Sequence, residues 1–283
     1  MRLTEIYLPL REDLARVEAE MARQIASMDC ARYLPGGLAE HATRAIAHVF
    51  ANPGKRLRPA LVILSARLLD APRELWHGCL DAFAAAVELF HTASLVHDDV
   101  IDAEETRRDL PALNRLHGNY TAVLVGDLLY AKSFSLLSGL QVEPSGRVLE
   151  LLRLFCDLTE RMCVAEMSEQ RILETERDAE PGQYLRILQY KTADLMAACC
   201  EGSALLCGAP AALRAALRDF GLSFGMAFQL MDDSRDGDAI LRERFDPRAK
   251  ASEYAAAARA LLTDLPGGES RGLMEDLCSY IVQ

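Results

Sequence analysis

Apolar residues return at intervals of three and four along most of the chain. Leu10, Leu14, Val17, Met21 and Ile25 mark one face of an amphipathic helix over residues 10–28. Stretches 61–69, 81–100, 121–140, 148–173, 184–206 and 213–231 follow the same period. Nothing alternates apolar with polar residues for long enough to predict a strand. Between the helices fall Pro35-Gly36-Gly37, Pro53-Gly54, Pro72, Pro111, Pro144, Pro181-Gly182, Gly208, Pro247 and Pro266-Gly267-Gly268, where connections belong. No linker rich in Gly, Ser or Pro divides the chain. The pattern predicts an all-α protein with one domain over residues 1–283.

Composition narrows the function. The 283 residues are 51% apolar and 26% charged, enough to bury a core and unlike a disordered chain. A net charge of −11 argues against a nucleic-acid binder, whose surface is basic. Eight cysteines are scattered without a CxxC pair, as for reduced thiols in a cytoplasmic protein. Charges run through the first twenty residues, which predicts neither a signal peptide nor a membrane span there, and the later apolar runs are interrupted.

Two acidic clusters close apolar helices. One is Asp98-Asp99-Val100-Ile101-Asp102, the other Asp232-Asp233-Ser234-Arg235-Asp236. In each, the outer aspartates are four apart and share a helical face, where like charges repel. A solvated helix end accounts for one such cluster. Two of them predict cations, and carboxylates bind Mg²⁺ through one or two side chains together with substrate phosphates. Gly54-Lys55-Arg56-Leu57-Arg58-Pro59 puts three cations before an apolar helix, against its dipole, so an anionic ligand would relieve the conflict. Arg107-Arg108 follows the first cluster, and Lys191-Thr192 opens another apolar helix; such groups bind phosphate oxygens.

The string from His91 through His97-Asp98-Asp99-Val100-Ile101-Asp102, with Glu105-Thr106-Arg107-Arg108, resembles the first aspartate-rich region of the polyprenyl synthetase (trans-isoprenyl diphosphate synthase) family. The blocks 54–59, 191–193 and 225–233 resemble its other signatures, in the family's order, and the likeness runs from about residue 10 to about 238. It implies a helical bundle around a central apolar cavity, Mg²⁺ as cofactor, and a homodimer. By resemblance, Asp98, Asp102 and Asp232 hold Mg²⁺ against an allylic diphosphate, with Asp99, Asp233 and Asp236 in support. Arg107, Lys191, Thr192 and Gln229 then contact the allylic substrate, and Lys55, Arg58, His91 and Arg108 bind isopentenyl diphosphate. His91 lies seven residues before Asp98 and so on its helical face, whereas His97 reads as structural. Ala93 and Ser94, one turn before Asp98, are small where bulky family residues stop the product short, which implies a product longer than farnesyl. Phe90, Leu128 or Phe134 would set the floor further down.

The chain departs from the family after Asp238, where several dozen residues are missing before Lys250-Ala251-Ser252-Glu253-Tyr254. Two further readings follow from this: a non-catalytic or regulatory subunit of a heteromeric synthase, and a class I terpene cyclase. The second is disfavoured by the additional cations, which resemble a second diphosphate site. Arg242, Arg244, Arg248 and Lys250 are candidates to replace the missing lysine.

Overall fold

The computed structural model describes residues 2–28, 30, 37–175, 180–236 and 246–283. Its longer helices are α1 (Arg11–Ala26), α2 (Gly37–Val49), α3 (Leu57–Leu68), α4 (Asp81–Ile101), α5 (Leu113–Ser138), α6 (Gly146–Thr175), α7 (Pro181–Leu188), α8 (Asp194–Leu206), α9 (Ala211–Asp236), α10 (Pro247–Leu262) and α11 (Glu269–Ile281). Strands β1 (Thr106–Arg107) and β2 (Leu110–Pro111) form a two-stranded antiparallel hairpin with Arg107 opposite Leu110. The all-α expectation holds.

The chain divides into two compact units. One comprises Met1–Arg11, Leu61–Trp76 and Val142–Gln283; the other comprises Glu12–Ala60 and His77–Gln141. In the second, α4 is apolar on nearly every side and forms the core. Leu89, Ala93 and Val96 meet Ala45 and Ile46 of α2 and Ala122, Val125 and Leu129 of α5. Close packing is aided where α4 carries alanine, since small side chains let helices approach. The α5 backbone breaks at Gly118, whose φ of 82° suits glycine, so its regular part starts near residue 121 as the periodicity predicts.

In the first unit α9 packs on α8. A Cβ on Gly221 would lie 2.7 Å from the Met196 carbonyl oxygen, and one on Gly225 would lie 2.6 Å from Ala193 Cα. The two glycines therefore let α9 seat directly on its neighbour's backbone. Tyr184, Leu188, Ala193, Met226, Leu230, Met231 and Ala251 complete this core.

Among the described residues, two helical stretches are long and apolar enough by composition to cross a membrane. The most apolar window of Arg73–Ile101 is 89% buried within the protein, as expected of a core helix. That of Leu113–Ser138 is 33% buried, and α5 exposes Leu116, Tyr120, Val123, Leu124 and Leu128. None of the eight cysteines forms a disulfide. Burial pushes the Cys200 and Cys278 thiols up to about 12, so both stay protonated.

Candidate active site

The first cluster ends α4. Asp98 lies in its last turn and Asp102 is its C-cap, with the Asp102 N–H donating to the Asp98 carbonyl at 2.8 Å. Carboxylates at a helix C-terminus face the negative end of the dipole, so this placement is unfavourable without a cation. Asp99 is turned inward and buried. Its carboxylate accepts from Arg107 Nε at 2.7 Å and pairs with Arg107 Nη2. Burial raises the Asp99 pKa above the usual value, and the Arg107 guanidinium opposes that rise. The Asp99 carbonyl also accepts from Asn114 Nδ2 at 2.9 Å.

Arg107 reaches Asp99 because the hairpin turns sharply after it. Arg108 and Asp109 form the two-residue turn, with φ of 51° and 64°. Positive φ at both central positions matches the twist of paired strands, although neither residue is the glycine or asparagine usual there. Arg108 then points the other way. Its Nη1 donates to the Asn52 carbonyl at 3.1 Å, while Asn52 Nδ2 donates to the Arg108 carbonyl at 2.5 Å. Its guanidinium lies over Gly54, where a Cβ would sit 2.6 Å from Nη2.

The three cations of the block at 54–59 separate. Lys55 is exposed and Arg58 is buried in the first turn of α3. Arg56, at φ 52°, pairs with Glu18 of α1 and with buried Glu88 of α4 at 2.7 Å, which makes it a structural tie. Half-buried His91 lies in the combined field of Arg58, Arg108, Arg107 and Arg56. Burial and then these four charges hold its imidazole well below the ordinary value, so it is neutral at pH 7. A pocket beside the hairpin is lined by Asn52, Thr92, Asp99, Arg107 and Arg108. His97 Nε2 donates to the Val123 carbonyl at 3.0 Å and packs over Gly126, a structural placement.

Below the cluster, Ala93 is fully buried, and Ser94 is buried with its hydroxyl donating to the His91 carbonyl at 2.8 Å. Phe90 stacks edge-on against Tyr130 at 4.9 Å and Phe134 at 6.1 Å. Leu128 is exposed and does not join this aromatic group. Tyr130, which the sequence reading passed over, does.

In the first unit, Lys191 does not open a helix as its sequence context suggested. It lies in a π-turn, Gln189–Ala193, that joins α7 and α8 into one helical path. Such insertions recur at functional sites. Lys191 Nζ pairs with Glu166 at 2.7 Å and with Glu169, both on α6. Burial disfavours the ammonium, but the two carboxylates outweigh it and raise the Lys191 pKa. Thr192 Oγ1 donates to Gln229 Oε1 at 2.7 Å, and Gln229 Nε2 donates to Asp233 Oδ1 at 2.8 Å. The Tyr184 hydroxyl donates to Asp233 Oδ2. Asp232 is partly exposed, with Arg235 Nη1 3.6 Å away. The Asp236 side chain, Arg242, Arg244 and the junction after Asp238 lie outside the described residues. Glu166, Glu169 and Tyr184 are site neighbours that the sequence reading missed.

Among the described residues, no three His, Cys, Asp or Glu side chains form a ready-made metal cage. A pair of carboxylates one turn apart at a helix C-terminus nevertheless suits Mg²⁺, which takes few protein ligands and shares its shell with phosphates. The residues present therefore fit that ion.

These features are those of a helical protein that sets paired carboxylates beside buried cations, and comparison with known proteins places the chain. The profile of the family described as Polyprenyl synthetase matches residues 39–239. The chain belongs to this family. It is 33% identical over 224 residues to the short chain isoprenyl diphosphate synthase of Methanothermobacter thermautotrophicus, covering 79% of this chain and 66% of the relative. It thus spans just under two thirds of that protein. To heptaprenyl diphosphate synthase component 2 of Geobacillus stearothermophilus it is 36% identical, over 99% of this chain and 98% of the relative. That alignment runs over 337 positions against 283 residues, so dozens of them have no counterpart here. A Caulobacter crescentus polyprenyl synthase, solved with calcium and isoprenyl diphosphate, superposes with a TM-score of 0.77 at 27% identity, over 99% of this chain and 97% of that one.

Proposed function

We propose that the chain is a Mg²⁺-dependent trans-prenyltransferase that condenses isopentenyl diphosphate with an allylic diphosphate, giving a trans-polyprenyl diphosphate longer than C15. The observation that carries this reading is that the helix ending in the Asp98–Asp102 pair also lines, through Asp99, a pocket with Arg107 and Arg108. Cations and metal-ligating carboxylates side by side suit two diphosphates, one bound by charge alone and one through metal. Asp98 and Asp102 would hold Mg²⁺, and Asp232 and Asp236 are the further metal ligands that the family resemblance implies. Bound there, Mg²⁺ would neutralise the allylic diphosphate and stabilise it as a leaving group.

Arg107, Lys191, Thr192 and Gln229 would orient that diphosphate. Lys55, Arg58, Arg108 and neutral His91 would receive isopentenyl diphosphate, His91 through a neutral N–H. The apolar wall of Ala93, Phe90, Tyr130 and Phe134 would keep water from the cationic allyl fragment. Small side chains at Ala93 and Ser94 leave room for growth, and the Phe90–Tyr130–Phe134 group would limit it. The exposed stripe of Leu116, Tyr120, Val123, Leu124 and Leu128 on α5 suits burial against a second copy, which supports the homodimer. Eight cysteines without a disulfide accord with a reducing, cytoplasmic setting. The absent segment would fall after Asp238.

The test is to incubate the pure protein with Mg²⁺, isopentenyl diphosphate and farnesyl diphosphate and to read products by mass spectrometry. A ladder ending at one long polyprenyl diphosphate supports the reading. Binding of farnesyl diphosphate without turnover points instead to a subunit that needs a partner.

A further inference from the structure

We propose that Tyr184 is a positioning residue: through Asp233 it fixes the side-chain amide of Gln229 toward the allylic diphosphate. The inference rests on the reading of Gln229 as a substrate contact given above. It starts from helix geometry. In a regular α-helix, eight residues carry the chain about 80° past two full turns, so Tyr184 and Thr192 would face different directions. The π-turn at Gln189–Ala193 inserts one extra residue. That brings the two side chains to within about 20° of one face.

On α9, Gly221 and Gly225 seat the helix against α8, and the next two residues at the same spacing are Gln229 and Asp233. One face of the α7–α8 path thus meets one face of α9, and the polar side chains close into a directed chain. Thr192 donates to the Gln229 oxygen, which obliges Gln229 to present its nitrogen to Asp233. Asp233 accepts that N–H on one oxygen and the Tyr184 O–H on the other.

A carboxylate held by two donors on opposite oxygens cannot swing, and neither can the amide bonded to it. Tyr184 is 6% exposed, so its ring packs whether or not the hydroxyl is present. A purely adhesive role would add stability between α7 and α9. The positioning role makes a different prediction, because the hydroxyl acts on ligand binding only through Gln229.

Tyr184→Phe is the variant to make, with Gln229→Ala and the double variant beside it. Binding of farnesyl diphosphate with Mg²⁺ is measured by titration calorimetry, and KM for each substrate by product formation. Expected is a Kd for farnesyl diphosphate about tenfold weaker in Tyr184→Phe, the scale of one hydrogen bond to a charged group. KM for isopentenyl diphosphate stays unchanged, and the double variant binds no worse than Gln229→Ala alone. Wild-type affinity in Tyr184→Phe overturns the inference. So does a double variant in which the two losses multiply. If the wild type binds without turnover, the activity reading falls while the affinities still decide the role of Tyr184; if it does not bind, both fall.

Discussion

The two acidic clusters look alike in sequence, yet their second aspartates are held by different chemistry. Asp99 is buried at the end of α4 and gripped by a guanidinium, Arg107, delivered by a hairpin whose turn residues take positive φ. Asp233 lies partly buried in the last turn of α9 and accepts from a phenol and an amide. In both, the aspartate holds a side chain assigned to the allylic substrate. The first arrangement depends on charge in a desolvated place; the second depends on the register of a π-turn against a glycine-seated helix. A charge pair tolerates small shifts of backbone but not loss of a partner. A chain of neutral donors loses less stability with one member than the charge pair does, but it does not tolerate a shift.

The largest effect expected is on the aspartates that begin the clusters. Asp98→Ala lowers turnover by about a thousandfold, the scale of losing a principal electrostatic stabiliser, with the melting temperature nearly unchanged. Steady-state assays at saturating Mg²⁺ read this. Retention of a tenth of the activity would remove Asp98 from the proposed metal set.

Next comes the register of the second region. Gly225→Ala places a Cβ 2.6 Å from Ala193 Cα, a backbone contact that has to move, and destabilises by about 1–3 kcal/mol in urea denaturation. Gly54→Ala in the first region meets only the tip of Arg108, a flexible side chain, and shifts stability by less than about 0.5 kcal/mol. Its expected effect is instead a raised KM for isopentenyl diphosphate. Equal stability losses at the two glycines would erase the distinction between a backbone-seated and a charge-seated region.

The charge pair supplies the third contrast. Arg107→Ala leaves Asp99 buried without that guanidinium and costs about 2 kcal/mol, discounted because Arg107 is itself half-exposed. Gln229→Ala removes a neutral link and costs about 1 kcal/mol. Chemical denaturation of both variants checks the order, and a larger loss at Gln229 would reverse the account.

Much of the first region was legible in the sequence, because its signals are contradictions that local physics makes visible. Carboxylates four apart on one face, and cations at a helix start, both call for a counter-charge. The second region hid its organisation. Tyr184 in an apolar helix reads as core, and only the π-turn, which leaves no trace in the periodicity, gives its hydroxyl a partner. The hairpin was missed because its strands are two residues long and its turn is Arg108-Asp109, without the usual glycine. Helix α10 is absent from the periodicity because its alanines carry little apolar contrast. Asp246 as N-cap, accepting from the Arg248 N–H at 2.9 Å, with Pro247 at the first position, is the signal that marks it. Arg56 received no substrate role from the sequence, and its part as a structural tie was hidden because its partners Glu18 and Glu88 come from distant helices.

The smallest effect expected is also the one that separates the regions by pH. All six histidines belong to the unit that carries the first cluster. His91 is held well below 6.5 by burial and then by Arg58, Arg108, Arg107 and Arg56, so the folded state keeps it neutral. In the unfolded chain it protonates at its ordinary value. Between the two, unfolding takes up a proton, and stability falls as pH drops below 6.5, by at most about 1.4 kcal/mol per pH unit. Above 6.5 the full contribution is present. His117, also shifted down by burial and then by His41, His48 and Arg44, adds a slope of the same sign that remains when His91 is replaced. The comparison is therefore His91→Gln against wild type, by urea denaturation at about pH 7 and about pH 5.5. The variant loses less stability on acidification than the wild type does, and hydrogen exchange places the difference in α4 and the hairpin, with α8 and α9 unmoved. Identical slopes would mean that His91 is protonated in the fold. The guanidinium field on which its place beside isopentenyl diphosphate depends would then have to be abandoned.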